Sequence, residues 1–282
     1  MNMPTHDRVS QIGCVLLALM TATLGVMSIV TGDFAYTWQP VPEGLPLRAT
    51  AARIVGIVLV GASVAFLIPR AARRGRMAMT ILFAAWLAVL HVPRLLTGVN
   101  WLGTCEFLLP FGACLALIGA TKLDEDPSIR GRGPSGDSLV LAGRICFGVG
   151  LIGCGASHFV YAEFAAQMIP AWFPQRLLFT YLTGAGHVAA GLSLLTGVLL
   201  RLSTALLCFM FACFVLLLHV PRVLNDPTSR HEWTMLFVAS LFNGAAWLVA
   251  AVARSPAIAR RAQARVRKGA PATVSSAAAD GL

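Results

Sequence analysis

Apolar residues run along this chain in long blocks, separated by short breaks of Gly, Pro and charge. The blocks cover about 11–31, 50–69, 77–95, 101–121, 139–157, 178–199, 203–220 and 233–253. Each is close to the roughly 20 residues that a helix needs to cross the hydrocarbon layer. A backbone in lipid must satisfy its own polar groups, so each block predicts a helix. The pattern therefore predicts an all-α fold: a polytopic helical membrane protein with eight transmembrane helices. Residues 122–137 (KLDEDPSIRGRGPSGD) are charged and rich in Gly, Pro and Ser, and read as a cytoplasmic linker between two halves. Residues 254–282 are basic, then Ala/Ser-rich, with no apolar face. They read as a mostly disordered cytoplasmic tail.

The two halves, 1–121 and 138–253, repeat one another. His91-Val92-Pro93-Arg94 recurs as His219-Val220-Pro221-Arg222, a shift of 128. At the same shift Pro42 falls on Pro170, Pro46 on Pro174, Arg48 on Arg176 and Gly56 on Gly184. Before this block the best shift is 125, pairing Phe34 with Phe159; after it the shift is 132, pairing Trp101 with Trp233 and Gly112 with Gly244. An ordered series of matches over about 80 residues marks a duplication. Four spans return the chain to its starting side, so the two four-helix repeats insert in parallel, related by a twofold axis along the membrane normal.

Composition narrows the class. The chain of 282 residues is 57% hydrophobic and 12% charged. Soluble domains carry about 25% charge, so an ordinary soluble enzyme is excluded. The net charge of +10 reads as topology, not as nucleic-acid binding. With eight spans, 16 Lys and Arg fall on the side of the termini and 6 on the other. The positive-inside rule then places both termini in the cytoplasm. The first block is too long for a signal-peptide core and reads as a retained span. The seven cysteines lie in apolar stretches without a CxxC pair, and read as small core residues rather than disulfides or metal ligands.

Ionisable groups inside spans mark functional candidates. Each His-x-Pro-Arg closes a span at its outer end, because proline has no N–H and ends the helix. Arg94 and Arg222 then sit at the interface, with His91 and His219 about 5 Å deeper. On the same side lie Asp33, His158 and, about one turn into the fourth span, Glu106. Histidine and carboxylate move protons, and arginine holds an anion or a quinone oxygen. Together these residues form a candidate outer-side polar cluster. Structural anchoring of helix ends is the competing reading. Trp38, Trp101, Trp172 and Trp233 fall at this level as an aromatic belt. His187 stands alone in span six, with a hydrogen bond expected to a neighbouring helix. No HExxH, P-loop or GxSxG motif occurs, and metal-ligand spacing is absent.

The second repeat, roughly 139–250, resembles the DoxX-like family of small four-span bacterial membrane proteins. The residues that carry the likeness are Gly155-x-x-His158-Phe159, Met168-Ile169-Pro170-x-Trp172-x-Pro174, Tyr181-x-x-Gly184, Ala189-Ala190-Gly191-x-x-Leu194-Leu195, Arg201 and His219-x-Pro221-Arg222. The first repeat looks like a diverged copy, with Asp33 where the second has His158. The resemblance implies a four-helix unit in the inner membrane and a loose association with redox, since a thiosulfate–quinone oxidoreductase subunit belongs to this broad group. It hands over no catalytic set. Its leading implication is an accessory to quinone-linked or thiol redox chemistry, with quinone as candidate cofactor and redox proteins as partners. Two other readings stand beside it: a small-solute transporter or carrier using the repeat interface, and an assembly factor without a ligand.

Overall fold

The computed structural model describes residues 8–98, 101–124 and 135–255. Among them are no strands and nine helices: α1 (Arg8–Thr31), α2 (Arg48–Leu67), α3 (Ala72–Leu96), α4 (Trp101–Asp124), α5 (Gly136–Val160), a short α6 (Ala162–Met168), α7 (Arg176–Thr196), α8 (Leu200–Asn225) and α9 (Arg230–Arg254). All but α6 are long and apolar enough to cross a membrane. The protein is an all-α multi-pass membrane protein, and every apolar block falls on its own helix. Most of the expected linker (125–134) and tail (256–282) lies outside the described residues.

Local chemistry sets the helix ends. Ser229 caps α9, its hydroxyl accepting the Glu232 N–H at 3.3 Å in a Ser-x-x-Glu box. Ser135 accepts the Ser138 N–H at the start of α5 in the same way. Helices α2 and α7 are entered through Leu47 (φ 55°) and Gln175 (φ 51°), each between a proline and an arginine. This conformation is costly for residues with a Cβ, and it recurs 128 residues apart.

The prolines of the two His-x-Pro-Arg motifs do not end their helices. Pro93 and Pro221 have no N–H to return to the preceding turn. The chain absorbs the break in one wide π turn, over Leu87–His91 and Phe214–His219. There the Val92 N–H reaches the Leu87 carbonyl and the Val220 N–H reaches that of Val215, five residues back in each case. A π bulge keeps the helix continuous across such a fault. Helices α3 and α8 therefore run on to Leu96 and Asn225.

Each span packs on its neighbours in the chain, α9 returns to α1, and α4 meets α9 across the middle. Contacts between the halves come in two matching sets. At one crossing Gly13 of α1 faces Leu248, and Gly244 of α9 faces Leu17. At the other Gly143 of α5 faces Ala116, and Gly112 of α4 faces Phe147. A Cβ on Gly13 would come within 2.7 Å of the Leu248 nitrogen, and one on Gly143 within 2.5 Å of that of Ala116. In lipid, backbones approach this closely only where side chains are small. Both crossings are antiparallel, so Arg8 and Arg254 share one end of the bundle, called here the terminal end. Leu17, Leu109, Ala113, Phe147, Leu241, Ala245 and Leu248 are fully buried. At the two crossings the contact between the halves is tight and apolar.

These crossings also correct the alignment of the repeats. They map onto each other with a shift of 130 between α1 and α5, not 125. Gly25 meets Gly56 as Gly155 meets Gly184, again at 130 on the first helix. Position 158 therefore corresponds to Ser28, and Asp33 corresponds to Glu163. A slip of a few residues between two apolar helices costs little similarity, so sequence alone misplaces the gap.

Candidate functional site

The outer-side candidates lie toward the end of the bundle opposite the termini, but they divide among separate neighbourhoods. His91 is buried beneath the loop that follows α1. Its Nε2 lies 3.3 Å from the Trp38 carbonyl and its ring 4.2 Å from that of Phe107. Arg94 donates to the Pro40 carbonyl at 3.3 Å. His219 is also buried, with its Nδ1 unpartnered among the described residues. Arg222, one turn on, forms a two-pronged pair with Glu232 at 2.8 and 2.7 Å. Among the described residues no hydrogen bond or ring contact joins His91 to His219. Glu106 is half-buried on α4 and forms no hydrogen bond or ion pair with the described residues.

Asp33 is a structural tie. Its carboxylate accepts from Arg48 at 2.7 Å, from the Phe34 N–H at 2.8 Å and from Arg230 at 3.0 Å. Arg230 also donates to the Phe34 carbonyl and lies 4.5 Å from the centre of the Tyr36 ring. The loop after α1 is thereby fastened to α2 and to the start of α9, across the two halves. Burial pushes the Asp33 carboxyl up. Hydrogen bonds from Arg230, Phe34 and Arg48, with the Arg48 charge, outweigh it and hold the carboxyl below the ordinary aspartate value.

The same loop corrects the reading of Trp38 as an interfacial belt residue. Trp38 is 4% exposed and stacks on Phe107 with ring centres 3.9 Å apart. An indole buries more area between Phe107 and Phe242 than it would at a membrane surface. With Gln39 it closes a cavity of about 10 Å³ bounded by Leu59, Phe83 and Trp86. The loop plugs this part of the first half. Trp172, by contrast, stays 67% exposed.

The matching place in the second half holds different chemistry. Leu59, Phe83 and Trp86 correspond to His187, Phe211 and Phe214, and Ser28 corresponds to His158. The rings of His158 on α5 and His187 on α7 have centres 5.0 Å apart. Phe211 and Phe214 of α8 flank His187 at 5.5 and 5.8 Å. Two glycines bring the helices together. A Cβ on Gly184 would meet the His158 Cβ at 2.7 Å, and one on Gly155 would meet the His187 Cβ at 3.0 Å. Each glycine thus makes room for the histidine of the opposite helix.

His187 does not bond to a neighbouring helix, as the sequence led us to expect. Its Nδ1 lies 2.8 Å from the Thr183 carbonyl of its own helix, and the His158 Nδ1 lies 2.8 Å from the Cys154 carbonyl. A carbonyl only accepts, so both Nδ1 atoms carry a proton. In the neutral rings both Nε2 atoms are then lone-pair acceptors. His187 is buried, whereas His158 is half-buried, with Phe159 and Tyr181 exposed beside it and stacked at 5.8 Å. The pair is therefore within reach of the side of the bundle. The pairing was missed from sequence, although Gly155-x-x-His158 and Gly184-x-x-His187 share one spacing that signals it.

Among the described residues no group of His, Cys, Asp and Glu has the makings of a metal site. The seven cysteines are all free. No protein-family model, curated protein or solved structure matches this chain.

Proposed function

We propose that this is a DoxX-like protein of the bacterial inner membrane, with cytoplasmic termini, that binds the head of a quinol at His158 and His187 as an accessory to quinone-linked redox chemistry. One observation carries the reading: two neighbouring histidines, held by their own helices, with no hydrogen bond to either Nε2 among the described residues. A quinol hydroxyl donates, and so fits an Nε2 acceptor. The carbonyl of an oxidised quinone would find no donor in the neutral pair. Phe211 and Phe214 pack on the His187 ring and give the pair apolar, aromatic surroundings. A bound quinol supplies two electrons and two protons. The chain's own residues hold a hydroxyl at Nε2, orient the ring and keep the surroundings apolar. Of the residues behind the family resemblance, His158 is one member of the pair, and Gly155 and Gly184 make room for the two rings.

The test is anaerobic solvent extraction of the purified full chain, followed by an optical spectrum of the extract before and after oxidation. The expected result is about one quinol per chain. Repeated preparations from quinone-containing membranes that yield none would count decisively against the reading. The transporter reading draws no support from the tight apolar crossings of α1 with α9 and of α4 with α5.

A further inference from the structure

A concave site lies at the terminal end of the first repeat, away from the histidine pair. It is a crevice of about 230 Å³ among the ends of four helices. Ser10 and Cys14 of α1, Phe66 and Leu67 of α2, Arg76 of α3 and Thr121 of α4 line it. Arg76 is 9% exposed, and its Nε donates to the Ala72 carbonyl at 3.2 Å. Arg70, Arg73 and Arg74 are exposed in the same turn of chain. Lys122 and Asp124 follow Thr121 at the end of α4.

The difference between the repeats explains why the crevice exists. At the shift of 130, Cys14 corresponds to Arg144. Arg144 crosses the equivalent space and donates to the Leu194 carbonyl, from Nε at 3.1 Å and from the terminal nitrogen at 2.7 Å. In the first repeat the short Cys14 leaves that space open. The arginine comes instead from α3, at Arg76, where the second repeat has Thr204. One copy fills the gap with a guanidinium; in the other the gap is bordered by the guanidinium of Arg76, with the exposed Arg70, Arg73 and Arg74 in the adjoining turn of chain.

We infer that this crevice binds the phosphodiester head of an anionic phospholipid. Phosphate matches Arg76 in its wall and the arginines that flank the lining residues Pro69 and Ala72 at its mouth. The apolar walls at Phe66 and Leu67 suit the first carbons of an acyl chain. A basic cluster at the membrane surface favours anionic heads over zwitterionic ones.

Native mass spectrometry of the full chain in mild detergent tests this, with phosphatidylglycerol, phosphatidylcholine and sodium phosphate as probes. The expected result is one retained phosphatidylglycerol per chain, preferred about tenfold over phosphatidylcholine and not displaced by millimolar phosphate. Arg76→Gln should weaken retention about tenfold, as should the combined rim variant Arg70→Gln/Arg73→Gln/Arg74→Gln. Cys14→Phe fills the crevice without changing charge and should abolish retention. Should Cys14→Phe fail to yield folded protein, the exposed rim variant decides. Equal retention of the two lipids, full retention by Cys14→Phe or the rim variant, or displacement by free phosphate would each overturn the inference. None of these outcomes depends on whether quinol binds at His158 and His187.

Discussion

At the scale of single residues, partners decide what each polar side chain does. Asp33 and His158 look interchangeable along the sequence, yet one ties the halves together and the other faces a second histidine. Because its folded carboxyl titrates below the ordinary aspartate value, Asp33 contributes stability at neutral pH that is lost as pH falls through that depressed value. Asp33→Asn should lower stability by roughly 1 kcal/mol, the upper end for partly exposed pairs. In detergent melting curves the wild type should lose stability on acidification below about pH 4, while the variant should lose less. Equal slopes would show that the tie contributes nothing. That His91 and His219 share the end of the bundle opposite the termini follows from their repeated place in the chain. Their separation does not, because helix spacing says nothing about which faces meet. His187 carried the opposite lesson: a lone histidine in a span found its partner through a glycine three residues before it.

Elements were legible to within a few residues wherever the apolar pattern was uninterrupted, as in α1, α2 and α4. The exceptions sit at the prolines. A proline in water usually stops a helix, but in lipid the freed carbonyls must be satisfied locally, and the π turns before Pro93 and Pro221 do so at the cost of one wide turn. The repeat was legible from His-x-Pro-Arg and the glycines; its register across α1 and α5 was not, since neighbouring apolar registers score alike. The helix crossings give a sharp expectation. Gly143→Val would press a side chain into the Ala116 backbone, whereas the open Gly61 has nothing within 4 Å of a new Cβ. Gly143→Val should cost about 1–3 kcal/mol through overpacking, read as a lower aggregation temperature on size-exclusion chromatography. Gly61→Val should leave that temperature unchanged. The reverse ranking would place the α4/α5 crossing elsewhere.

As a whole molecule, the protein is two copies of one four-helix unit that have specialised by what fills equivalent spaces. On the side away from the termini, the first copy is closed by Trp38, and the second keeps a histidine pair. At the terminal end the second copy is closed by Arg144, and the first keeps a crevice. Eight spans with both ends together predict that reporters fused after Ser255 and inserted between Thr196 and Leu200 are both active on the cytoplasmic side, while one inserted at Pro227 is not. A cytoplasmic signal at Pro227 would refute the topology. The central claim is that the quinol site lies in the second repeat alone. Its most direct test is a titration of the purified chain with a reduced short-chain quinol, followed by tryptophan fluorescence, in the wild type, His187→Leu and His219→Leu. His187→Leu installs the residue that the first repeat has at the same place, Leu59. The account predicts saturable binding of one quinol per chain in the wild type and in His219→Leu, weakened at least about tenfold in His187→Leu with its melting curve preserved. Unchanged binding in His187→Leu, or its loss in His219→Leu alone, would contradict it.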